Sequence, residues 1–135
     1  MFPFAQVNGE PFINMCNRPA RGVYVNNITC AHSHGLTIGA EVSGGIENVT
    51  ITNVEVDHWD DAVRIKTKCG RGAYVRNIRY ENITGTSMES AIWIDQRYSS
   101  GPKECDPKGT TIFSDIFVKN VVAEKITDGA YTIVG

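Results

Sequence analysis

The chain repeats one sequence pattern four times, and this repetition limits the folds that it can adopt. Each copy has a short β-type run, an asparagine, an apolar pair, a polar corner, and a small residue followed by a second β-type run. The copies are VYVNNITCAHSHGLTIG, VTITNVEVDHWDDAVRIKT, IRYENITGTSMESAIWID and IFVKNVVAEKITDGAYTIV. Their asparagines, separated by 26, 29 and 38 residues, are Asn27, Asn53, Asn82 and Asn120. Repeats of about 20 to 50 residues are typical of solenoids.

None of the copies has the sequence pattern of a helix. Their runs are short and rich in Val, Ile and Thr, and none sustains apolar residues at i, i+3, i+4 and i+7. Tight hairpin turns are scarce, since Asn8-Gly9 and Asp128-Gly129 are the only candidate dipeptides. Because such repeats bury their apolar faces only by stacking, the sequence predicts an all-β parallel β-helix of about four coils. We expect one domain over residues 1–135 and, because neither end resembles a polar cap, a piece of a longer solenoid.

The run DDAVRIKTK places two cations on one face of a strand. Successive side chains of a strand point to opposite sides, so Arg64 and Lys66 face away from Val63 and Ile65. At about 3.3 Å of rise per residue, the two cations are separated by about 6 to 7 Å. They are either a solvated outer face or a site that holds an anionic ligand.

Stacking of the copies adds neighbours to these cations. His34 aligns with Asp61, and the next copy contributes Ser90 at the same position. Because coils stack about 4.8 Å apart, the sequence predicts one small area that contains His34, Asp61, Arg64 and Lys66.

Composition argues against several other classes of partner. The formal charge is -2 and the pI is about 5.9, with no basic cluster of the kind that binds nucleic acid. No segment is long and apolar enough for a membrane helix, and the first residues do not resemble a signal peptide. The four cysteines lack a CxxC pair, so we expect disulfides or buried thiols, and no metal or cofactor.

Two longer stretches carry a family resemblance. CAHSHGLTIGAEVSGGIENVTI and AVRIKTKCGRGAYVRNIRYENI resemble the polygalacturonases of glycoside hydrolase family 28, in which a histidine-glycine turn precedes an Arg-Ile-Lys strand by about 30 residues. The resemblance covers roughly residues 8–125. It implies a right-handed parallel β-helix, a monomer without cofactors, and an extracellular or cell-wall location. It also implies hydrolysis of the α-1,4 linkages of polygalacturonate in pectin, with inversion.

The resemblance also assigns roles to single residues. His34, in the histidine-glycine turn, is expected to be catalytic by positioning and polarising the site. Arg64 and Lys66 are expected to bind the substrate carboxylate, which suits a guanidinium beside an ammonium group. Tyr98, in IWIDQRY, is expected to contact the sugar. We interpret His32 and His58 as surface residues.

The acids of the family are where this chain departs from the pattern. Inverting hydrolysis needs two carboxyl groups about 6.5 to 9.5 Å apart, and the family supplies them upstream of the histidine from an Asn-Thr-Asp and an Asp-Asp motif. This chain has no Asn-Thr-Asp, and Glu10 and Pro11 stand where the Asp-Asp pair is expected. Glu10 and Asp61 are the candidate acids. Two functions stay open, a hydrolase whose acids lie outside this sequence and a pectin-binding pseudoenzyme or fragment.

Overall fold

The protein is a stack of parallel β-coils. A computed structural model describes residues 18–98 and 109–135, except for the side chain of Trp59. The described residues form six strands and no helix: β1 Ala20–Ala31, β2 Thr37–Ile38, β3 Ile46–Lys66, β4 Tyr74–Asp95, β5 Ile112–Glu124 and β6 Gly129–Val134. Every strand pair is parallel, in the order β1-β3-β4-β5, with β2 beside β3 and β6 beside β4. The strands therefore make four coils (β1 with β2, β3, β4, and β5 with β6), which confirms the predicted parallel β-helix.

The repeated asparagines stack on one another at one corner of the coils. The strand register places Asn27, Asn53, Asn82 and Asn120 opposite one another, as the alignment predicted. Asn120 donates a side-chain hydrogen bond to Asn82 and Asn82 donates one to Asn53, each 3.0 Å long. Asn53 in turn donates to Asn26, 2.8 Å away, rather than to Asn27. We call these four aligned residues the asparagine column.

Single residues with a left-handed backbone turn each corner. Strands β3 and β4 run for 21 and 22 residues because they bend without breaking their pairing. The bends fall at residues with φ between 51° and 59°, five residues apart: Asn48, Asn53 and His58 in β3, and Asn77, Asn82 and Ser87 in β4. Asparagine adopts this backbone more readily than most residues, which explains why it recurs at these positions. His32 and His58 occupy one such corner, and their exposed rings are tilted by 35° with centres 5.3 Å apart.

The core lies inside the two middle coils. Inward-facing side chains stack in apolar columns, for example Ile38, Ile65, Ile94 and Ile133. Ile65 in the second coil is fully buried, whereas Ile133 in the fourth is 68% exposed. Burial of these columns in coils two and three stabilises the stack. Cys69 is disulfide-bonded and Cys30 is a free thiol. Among the described residues there is no helix that could cross a membrane.

Candidate functional site

The site is built on the last residues of β3. Val63 and Ile65 point into the core and are fully buried, while Arg64 and Lys66 lie on the opposite face. This is the alternation expected of a strand. The apolar residues fix the backbone of the strand in the core, so the two cations are held on a rigid element.

Arg64 is largely buried and already paired. It is 8% exposed, its Nη1 atom contacts the Asp60 carboxylate, and its Nε atom lies 3.4 Å from Oδ2 of Asp61. Its guanidinium stacks on Trp93, 4.5 Å from the ring centre. Burial lowers the pKa of Arg64, and nearby Tyr98 and acidic side chains partly oppose that shift. Arg64 therefore has little guanidinium surface left for a bidentate contact with a ligand carboxylate.

Lys66 is the more available cation. Its Nζ atom lies 4.4 Å from the centre of the Tyr98 ring, and it makes no ion pair with any described residue. The backbone of Tyr98 is held by a 2.9 Å hydrogen bond from its N–H to the carbonyl of Thr67. Tyr98 also meets Trp93 edge-on at 5.6 Å. The structure thus brings Tyr98 next to the two cations, although it lies outside the strands.

His34 stands in the turn between β1 and β2. Its side chain is 63% exposed, and its Nδ1 atom contacts Oδ2 of Asp60. Gly35 follows with φ of 64°, and a Cβ atom there would lie 3.3 Å from the carbonyl oxygen of Asp61. The turn therefore favours glycine at this position. Thr37 closes the turn by donating a 2.8 Å hydrogen bond from its hydroxyl to the His34 carbonyl.

Asp61 is enclosed in the interior instead of facing His34. It is 4% exposed and accepts a hydrogen bond from the Ser90 hydroxyl. Burial raises the pKa of Asp61, and the Ser90 hydrogen bond offsets part of the rise. The alignment of His34 with Asp61 suggested that these two side chains meet, but the partner of the imidazole is Asp60. Adjacent side chains of an extended chain point to opposite faces, so only Asp60 faces the imidazole, although both carboxylates lie close to Arg64.

Two residues that sequence reasoning missed hold this site together. Tyr80 is fully buried, and its hydroxyl donates to the carbonyls of Leu36, at 2.8 Å, and Arg64, at 3.3 Å. Burial also raises the pKa of its phenol. Gly39 approaches Lys66 so closely that a Cβ atom would lie 1.7 Å from the Lys66 carbonyl oxygen. A tyrosine in an otherwise apolar column was the only signal for Tyr80 in the sequence.

Asp61, a candidate acid, and its neighbour Asp60 are both buried in the described part of the site. Asp60 and Asp61 are 6% and 4% exposed, and both are engaged by neighbouring side chains. Glu10, the other candidate acid, lies outside the described residues. Within residues 18–98 and 109–135, no group of three or more His, Cys, Asp or Glu residues is arranged to hold a metal ion. The described geometry can bind and orient an anion, with a histidine at its edge.

Comparison with known proteins agrees with this geometry. A sequence model of the Glycosyl hydrolases family 28 matches residues 15–134. A probable polygalacturonase of Vitis vinifera is 30% identical over 83% of this chain, and polygalacturonase-2 of Solanum lycopersicum is 35% identical over 79%. A polygalacturonase of Ralstonia nicotianae is 33% identical over 75% of the chain.

The chain spans only part of these relatives. It covers 23% of the Vitis and Solanum proteins and 20% of the Ralstonia protein. No solved structure gave a significant match. The family match nevertheless extends over nearly all the described coils, from before β1 to the end of β6. The chain therefore belongs to glycosyl hydrolase family 28.

Proposed function

We propose that this chain supplies the carboxylate-binding part of a polygalacturonase site, which acts on α-1,4-linked galacturonate in pectin with inversion. The observation that carries the proposal is Lys66, a cation without an acidic partner among the described residues, set against the Tyr98 ring. Family membership and the polygalacturonase names of the relatives support the same substrate.

The chemistry of the site fits a charged sugar. A galacturonate unit carries one carboxylate beside an apolar ring face, which matches an ammonium group next to an aromatic ring. Lys66 would bind the carboxylate directly and Tyr98 would contact the ring. Arg64 would contribute mainly through its charge, because Asp60, Asp61 and Trp93 surround its guanidinium. His34 would reach the sugar from the exposed edge of the site.

A second candidate is pectin binding without hydrolysis. It is favoured by the burial of Asp61, the candidate acid that lies within the described residues, and of its neighbour Asp60. In this case Glu10 does not act as the acid. Hydrolysis would then require carboxyl groups supplied by additional coils. Either function places the protein outside the cell, where pectin lies, and we propose that it acts there as a monomer.

Calorimetric titration with oligogalacturonate tests the proposal. Charge-assisted hydrogen bonds contribute about 1.5 to 3 kcal/mol, so Lys66→Ala should weaken binding by about 10- to 100-fold. Lys119→Ala is the matched control, because Lys119 is a half-exposed lysine that already pairs with Glu81 at 3.1 Å. Equal losses in the two variants would indicate non-specific attraction and would overturn the assigned site.

A reducing-end assay on polygalacturonate separates the two candidates. New reducing ends in the wild-type chain, lost in Glu10→Gln or Asp61→Asn, would support hydrolysis with that residue as the acid. Lys66-dependent binding without new reducing ends would support the binding function.

A further inference from the structure

One buried carboxylate joins two of the residues to which the family resemblance assigns roles. Oδ2 of Asp60 contacts both Nδ1 of His34 and Nη1 of Arg64. Asp60 is 6% exposed, whereas the imidazole that it contacts is 63% exposed. The buried Asp60 carboxylate therefore holds the exposed imidazole of His34 in place.

The contact decides which ring nitrogen of neutral His34 carries the proton. If Nδ1 were unprotonated, its lone pair would face a carboxylate oxygen at contact distance, which is repulsive. If Nδ1 carries the proton, it donates to Asp60, and the hydrogen bond fixes the tautomer. Arg64 offers the competing arrangement, because its Nη1 atom is 3.3 Å from Nδ1 and is a donor. The Asp60 contact is the closer of the two and therefore prevails.

We infer that Asp60 is a positioning residue, which keeps the proton of neutral His34 on Nδ1 and leaves Nε2 as a hydrogen-bond acceptor for the sugar. This role rests on the proposed function, since an acceptor at the exposed edge is useful only if a hydroxyl group or water of a sugar complex lies there. Arg64 receives its orientation from the same carboxylate. Asp60 itself is nearly buried and would act on the substrate only through His34 and Arg64.

Nitrogen-15 NMR of the histidine side chains measures the tautomer directly. The chain has three histidines, so a His34→Ala variant identifies the signals of His34. At alkaline pH, where imidazole is neutral, we expect His34 in the Nδ1–H form. In Asp60→Ala the acceptor is lost and Arg64 donates to Nδ1, so His34 should change to the Nε2–H form.

Asp57→Ala is the matched control. Asp57 contacts Nδ1 of His58 at 2.7 Å, in an exposed pair on the same strand. Its removal should alter the His58 signals and leave His34 in the Nδ1–H form. Asp60→Glu, which retains the charge, should restore much of the Nδ1–H population if the contact acts through the carboxylate.

The outcomes separate this inference from the proposed function. Wild-type His34 in the Nε2–H form would overturn the role of Asp60, and this result does not depend on the folding of any variant. An unchanged tautomer in folded Asp60→Ala would also overturn it. The tautomer is measured without substrate. A negative result for Asp60 therefore does not bear on oligogalacturonate binding through Lys66, which the calorimetric titration tests separately.

Discussion

Asp61 shows how a single side chain can set the response of this protein to pH. Its carboxyl group lies in the interior of the coils, where burial raises its pKa above the ordinary value of 3.8. Protonation of Asp61 is therefore more favourable in the folded chain than in the unfolded chain. Below pH 3.8 the carboxyl is protonated in both states, and as the pH rises through the raised value the folded state loses stability.

Asp61→Asn should remove this pH dependence. The amide cannot ionise and can still accept the Ser90 hydrogen bond, so the variant should gain stability relative to the wild type as the pH rises from 3.8. Urea unfolding at a series of pH values measures the difference between the two free energies of unfolding. Asp57→Asn, at a half-exposed carboxyl, is the control. A difference that falls with pH would mean that Arg64 stabilises a charged Asp61.

At the scale of an element, the asparagine column is the feature that joins consecutive coils at a corner. Asn82 lies in its middle, since it donates one side-chain hydrogen bond and accepts another. Asn27 lies at its first position with the same φ of 58°, but its side chain makes no hydrogen bond to any described residue. Both asparagines are followed by Ile-Thr, so their local sequences match.

Comparison of Asn82→Ala with Asn27→Ala should isolate the contribution of the column. Both changes place alanine in a left-handed backbone, but only the first removes two hydrogen bonds. At about 0.5 to 1.5 kcal/mol each, those bonds should make Asn82→Ala more destabilising by about 1 to 3 kcal/mol. Denaturant unfolding of both variants is the measurement, and equal losses would show that the column adds nothing beyond its backbone geometry.

The sequence predicted the elements better than it predicted the site. The asparagines and small residues repeat in every copy, so aligning them gave the register of the coils. That alignment identifies neighbours along a column but gives no direction for side chains at a corner. For this reason Asp61 was expected beside His34, where the structure has Asp60. The hydrogen bonds of the Tyr80 hydroxyl could not be predicted from the alignment either, because the two carbonyl groups belong to two other coils.

At the scale of the whole molecule, stability should depend on the coil in which a residue lies. Solenoids are stabilised by contacts between neighbouring repeats, and the middle coils have a neighbour on each side in the described structure. Ile65 and Ile133 occupy the same apolar column, two coils apart. One is fully buried and the other is 68% exposed.

Ile65→Ala and Ile133→Ala should therefore differ sharply. The first leaves a cavity between two coils and should cost about 2 to 5 kcal/mol. The second removes side-chain atoms that are largely in water and should cost less than about 0.5 kcal/mol. Thermal unfolding of the two variants checks this, and a large loss in Ile133→Ala would mean that the fourth coil is covered by other parts of the protein.

The unequal spacing of the repeated asparagines has a consequence for how this chain is compared with others. The intervals of 26, 29 and 38 residues still bring every asparagine into the same column. The position of each residue is therefore defined by its coil and its column. Insertions between coils change its sequence number but not this position. Arg64 and Trp93 share a column in adjacent coils. Equivalent residues in longer or shorter relatives are best identified by coil and column.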